Sequence, residues 1–208
     1  MRKYFYVKRE ASAETVINRS RFIAAVTKAE DAAAAAEFLK AQKHRYPMAT
    51  HYCYAYVVGG IAAEARFSDD GEPQGTAGLP MLEILKKRAL TDTAAVVTRY
   101  FGGIKLGTGG LNAAYSKSLL AALDSAEIGE MIYSRIYRIK CLYGDFQPIN
   151  TVLGKHAKIL NAEYGEDVKL DAALPEDKTD SILAMMQDAV GGRLTAIMIE
   201  EKFVDYTD

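Results

Sequence analysis

AAVVTRYFGGIKLGTGGLNAAYSKSLL, running from Ala94 to Leu120, is the stretch from which the rest of the chain can be read. Its β-branched run Val96-Val97-Thr98 has the character of a buried strand. A loop with Gly102, Gly103, Gly107, Gly109 and Gly110 follows, and then an amphipathic helix with Leu111, Tyr115, Ser118, Leu119 and Ala122 on its inner face. Arg99 and Lys105 flank the loop. Glycine lets the backbone come close to a ligand because no Cβ intervenes. The first N–H groups of a helix lack internal partners and carry partial positive charge, which favours an anion and above all a phosphate. Glycines at such a corner equally serve tight packing and positive-φ turns without any ligand. Neither the Walker spacing nor G-x-G-x-x-G occurs in this loop.

The 208 residues suffice for one large or two small domains. With 26 Lys and Arg against 27 Asp and Glu, the chain has no global basic field, so any contact with nucleic acid has to come from a local patch. Cys53 and Cys141 lie far apart, at a spacing that matches no metal or redox motif, and read as reduced core residues. The opening MRKYFYVKRE lacks the apolar centre of a signal peptide, and no run is long enough to span a membrane; a cytoplasmic protein is expected.

Along the chain, Lys3 to Lys8 and Arg21 to Thr27 read as strands, with Asn18-Arg19-Ser20 as a turn. Alanine-rich Ala29 to about His44 reads as a helix that ends before Pro47. In His51 to Val58, period two places Tyr52, Tyr54, Tyr56 and Val58 on one face and His51, Cys53, Ala55 and Val57 on the other. The tyrosine row suits base stacking, but such rows more often form a packed sheet face under helices. Gly59-Gly60 signals a hairpin whose second strand is Ile61 to Phe67. Ser68 to Pro80 is a loop, and Pro80 opens a helix that runs to about Leu90.

Ser125 to Glu130 is a polar break, which divides the chain into residues 1–128 and 129–208. Beyond it come a strand at Met131 to Cys141, a short helix capped by Asp145, and a hairpin of Lys158 to Tyr164 with Val168 to Leu174. A helix starting at Asp177 or Thr179 and ending at Gly191-Gly192 follows, then a last strand from Arg193 to Val204. The order β-α-β-β-α-β is that of ferredoxin-like folds.

Chemistry-bearing motifs are few. No H-E-x-x-H, C-x-x-C or recognisable nucleophile motif occurs. Asp69, Asp70 and Glu72 are weak metal candidates, able to place Mg²⁺ beside a phosphate; as an Asp-Asp-Gly turn they also suit capping of nearby backbone N–H groups. His44 and His51 bracket a turn, and His51 is the one included in the candidate site, as an acid–base group or phosphate contact.

These residues carry a resemblance. Ser68-Asp69-Asp70-Gly71-Glu72-Pro73, Gly75-Thr76-Ala77-Gly78, the run Thr98 to Gly107, Gly109-Gly110-Leu111 and Ala114-Tyr115 resemble the signature of the IMPACT/YigZ family, and Ser20-Arg21-Phe22 and His51 stand at similar positions. The likeness is strong over roughly the first 125 residues, and the remainder resembles the ferredoxin-like domain of bacterial members. It implies an α+β protein: an N-terminal left-handed βαβ domain, similar to a ribosomal-protein domain, elongation factor G domain IV and the GHMP kinases, followed by a ferredoxin-like domain. Eukaryotic members carry an extra N-terminal docking domain that has no counterpart here. The resemblance supplies no catalytic residues.

The leading functional expectation is an RNA- or ribosome-binding module in translation regulation. Its surface would combine Arg21, His51, Arg99 and Lys105 with the N–H groups of Gly107, Thr108, Gly109 and Gly110. An alternative is an enzyme acting on a nucleotide or other phosphorylated small molecule; Mg²⁺ is expected only in that case, and otherwise no cofactor. A further alternative is a regulator that docks a protein partner.

Overall fold

The computed structural model describes residues 2–60 and 63–207. The chain divides into two compact units: Tyr4–Gly129, and Glu130–Asp208 together with Met1–Lys3. The sequence places the division one residue earlier and assigns the N-terminal residues to the first domain. Arg2 shows why they group with the second: its guanidinium donates to both carboxylate oxygens of Glu176 at 2.9 and 2.6 Å and lies 3.7 Å from the centre of the Tyr133 ring.

The first unit contains β1 (Lys3–Val7), β2 (Ala11–Ile17), β3 (Ser20–Lys28), α1 (Ala32–Arg45), β4 (His51–Val58), β5 (Glu64–Ser68), α2 (Gly78–Lys87), β6 (Thr93–Tyr100) and α3 (Gly107–Asp124). Five strands form an antiparallel sheet in the order β2-β3-β6-β4-β5. Strands β3 and β4 both pair antiparallel with β6, so they run parallel to each other, and α1 makes the expected βαβ crossover.

The period-two reading of β4 holds. Cys53, Ala55 and Val57 join Phe22, Met81, Leu85, Val97, Tyr115 and Leu119 in the core beneath α2 and α3. Tyr54, Tyr56 and Val58 face α1 with Ala35 and Phe38, so most of the tyrosine row is a packed sheet face, with Tyr54 and Tyr56 stacked at 6.2 Å. Pro80 falls at the third residue of α2 rather than the first. Strand β2 is absent from the sequence reading, and of the expected return strand Ile61 to Phe67, Ile61 and Ala62 lie outside the described residues.

The second unit follows the anticipated order with β7 (Ile128–Cys141), α4 (Tyr143–His156), β8 (Lys158–Tyr164), β9 (Val168–Pro175), α5 (Thr179–Ala189) and β10 (Thr195–Asp205). Antiparallel pairing gives the strand order β10-β7-β9-β8, as in a ferredoxin-like sheet. Ile139, Ile149, Leu153, Leu170, Leu174, Ile182 and Met186 form its core. Asp145 does not cap α4. The helix starts at Tyr143, two residues earlier, so Asp145 lies inside the first turn, where it accepts hydrogen bonds from Arg193.

In the same unit Arg138 donates to both oxygens of Asp171, at 2.8 Å each, and holds its carboxyl below the ordinary 3.8. A depressed folded-state value stabilises above the unfolded one and is lost as pH falls through it. Arg138→Ala should therefore lose stability less steeply than the parent between about pH 4 and pH 2, as read by urea midpoints across that range.

Candidate functional site

Strand β6 sets the site. Its residue Arg99 pairs with His51 of β4 on one side and with Phe22 of β3 on the other, which turns the guanidinium into the core under α3. There Arg99 Nη1 donates to Glu72 Oε1 at 2.6 Å, both side chains being about 95% buried (5% and 4% exposed). Tyr115 of α3 donates its hydroxyl to the same oxygen at 2.7 Å, and its ring meets Phe22 edge-on at 5.3 Å. Ser20 Oγ accepts from Arg99 Nη2 and from the Gly102 amide, each at 3.2 Å. Burial, with the neighbouring Cys53 and Glu72, raises the Tyr115 phenol far above its ordinary value. It therefore stays a neutral donor.

The acidic loop is a scaffold. Asp69 accepts from the amides of Gly75, Ala77 and Gly78 at 2.8 to 3.0 Å and so caps α2, whose own N-cap residue Ala77 has no polar side chain. Asp70 accepts from the Tyr52 amide at 2.7 Å. With Glu72 turned to Arg99 and Tyr115, the three carboxylates point to different partners. Among the described residues no group of three His, Cys, Asp or Glu side chains could hold a metal ion. The capping role is thus realised by Asp69.

Above this buried knot opens a cleft of about 430 Å³, lined on its polar side by His51, Glu72, Arg99, Lys105 and Thr108 and on its apolar side by Pro73, Phe101, Leu106 and Leu111. His51 donates Nδ1–H to the Asp70 carbonyl at 2.8 Å, which leaves Nε2 at 3.8 Å from Glu72 Oε2. Helix α3 starts at the cleft with Gly107, at φ +72°, and no side chain caps it. Among the described residues, no hydrogen bond forms from the amides of Gly107, Thr108 or Gly109.

His51, Arg99, Lys105, Gly107 and Thr108 are thus brought together; Gly109 and Gly110 belong to the same helical turn but not to the cleft lining. Arg99 is not the free cation the sequence suggests, because Glu72 neutralises it. Arg21 is outside the cleft: it precedes core-facing Phe22, so alternation turns it to the other sheet face, where it pairs with Glu14 at 2.7 Å and lies over Tyr100. The sequence reading missed Glu72 as a partner of Arg99, Tyr115 as a polar group, Phe101 as a wall, and Arg19. The Arg19 backbone abuts Gly102, its side chain is exposed, and it makes no ion pair with any described residue.

A glycine-opened helix start over a buried Arg–Glu–Tyr knot, on a βαβ unit followed by a ferredoxin-like unit, defines a class of two-domain α+β proteins. The Impact N-terminal domain family matches residues 18–123, and a domain of unknown function (DUF1949) matches residues 139–193. The chain is 40% identical over 194 residues to the IMPACT family member YvyE of Bacillus subtilis (strain 168), covering 93% of this chain and 89% of that protein. It is 38% identical over 188 residues to the IMPACT family member YigZ of Escherichia coli (strain K12), covering 89% and 92%. A solved structure titled "Crystal structure of an hypothetical protein" superposes with a TM-score of 0.62 at 35% identity, covering 97% of this chain and all (100%) of that one. The chain belongs to the IMPACT family. No helix among the described residues is long and apolar enough to cross a membrane.

Proposed function

We propose that the protein binds structured RNA of the translation machinery, with a backbone phosphate seated on the first turn of α3. The observation that carries this reading is the uncapped start of α3 beside Lys105, which is exposed and makes no ion pair with any described residue. Gly109 adds to it. A Cβ there would meet nothing within 4 Å, and its backbone φ lies outside the left-handed region, so neither packing nor conformation requires glycine. Close approach of a ligand to the backbone does.

Few unpaired cations imply moderate, salt-sensitive affinity. Lys105→Ala should weaken binding to ribosomal RNA fragments and reduce the slope of log K against log salt by about 0.7–0.9, one phosphate's share. Filter binding from low to moderate salt measures this. An unchanged slope would place the phosphate elsewhere.

A further inference from the structure

The cleft holds more than a phosphate needs. Glu72 Oε1 is committed to Arg99 and Tyr115, whereas Oε2 accepts no hydrogen bond from any described residue; it is not among the sealed-off polar atoms, Glu72 lines the cleft, and His51 Nε2 stands 3.8 Å from Oε2. A carboxylate oxygen that opens on the cleft offers an acceptor to whatever occupies it. A phosphodiester has no donor to give, so a ligand group that uses this acceptor sits on another part of the same molecule. Phe101 is 45% exposed and has the Arg99 guanidinium 5.4 Å from its ring centre, which leaves ring surface open beside Pro73, Leu106 and Leu111. The ligand therefore carries an anion at one end, a flat apolar body, and an N–H or O–H group that reaches Glu72. The cleft volume of about 430 Å³ falls in the range of small-molecule sites, roughly 300–1,000 Å³.

We infer that the cleft takes a single unstacked ribonucleotide: phosphate on the first turn of α3 and Lys105, base against Phe101, and a ribose hydroxyl or base N–H donating to Glu72 Oε2. This rests on the anion-binding reading of the same cleft and deepens it. A base inside a continuous duplex is stacked on both faces and cannot reach Phe101, whereas a bulged or single-stranded base can. The nucleotide has two sources, an unpaired position in RNA or a free mononucleotide, with the same chemistry.

The test is fluorescence anisotropy on the full chain with three RNAs of matched length: single-stranded, fully paired, and paired with a one-nucleotide bulge. Nucleoside monophosphates and inorganic phosphate serve as competitors. The single-stranded and bulged RNAs should bind about tenfold or more tightly than the duplex. Phe101→Ala should cut affinity for the single strand about five- to one-hundred-fold, and Phe101→Trp should restore it. Phe101 sits at the surface, so these variants leave the core intact. Competition by a mononucleotide but not by inorganic phosphate at the same concentration, lost in Phe101→Ala, supports the assignment and names the free nucleotide as a source. Equal affinity for all three RNAs with no effect of Phe101→Ala overturns the nucleotide assignment and leaves phosphate binding standing. Absence of binding by every RNA and every competitor removes both.

Discussion

Glu72→Ala should lower the stability of the Tyr4–Gly129 unit by about 3–5 kcal/mol, the cost of stranding a buried charge. Arg99 would be left in the core with Ser20 as its remaining hydrogen-bond partner and with its Nε already unpartnered, and the Tyr115 hydroxyl would lose its acceptor. The double variant Glu72→Leu/Arg99→Met should recover most of that loss, since two apolar side chains leave no charge to solvate. Hydrogen exchange of the β6 and α3 amides reads this unit separately from the other. A double variant no more stable than Glu72→Ala would mean that the loss does not come from the stranded guanidinium.

The second large effect is expected at Gly102. A Cβ there would stand 2.1 Å from the Arg19 carbonyl carbon and oxygen and 2.4 Å from the Ser20 nitrogen, where real contacts stay above 3.0 Å. All three are backbone atoms, in a turn already strained by positive φ at Asn18 (44°) and Arg19 (64°), so none can swing aside. Gly102→Ala should cost more than about 3 kcal/mol, beyond ordinary overpacking. Gly109→Ala is the control: it lies in the first turn of α3 with open space around it, and alanine's helix preference should leave stability unchanged or up to about 1 kcal/mol higher. Thermal denaturation of the two variants separates a glycine that the fold needs from one it does not.

Much of this was legible beforehand, for reasons particular to each segment. Val96 to Thr98 and the inner face of α3 were plain because their apolar spacing has one interpretation, and all the predicted inner-face residues are buried. Strand β2 was not, because ASAETVI mixes weak strand formers and its residues are only half-buried or exposed at a sheet edge. Arg21 could have been placed correctly, since alternation with the apolar Phe22 forces it to the opposite face. The partner of Arg99 could not. Glu72 lies 27 residues earlier in a loop, and tertiary contacts fix where that loop goes: the Asp69 cap on α2 and the bonds from His51 and Tyr52 to Asp70.

The knot beneath the cleft joins a loop, a central strand and a helix that are remote in sequence: Glu72, Arg99 and Tyr115. A synthetic peptide copied from Thr98 to Gly110 would keep every loop glycine, Phe101 and Lys105, yet it would lack Glu72 and Tyr115 as a floor and would have no fixed helix start. The cleft is a property of the assembled unit, and transplanting the loop onto another scaffold would carry over the letters without the shape.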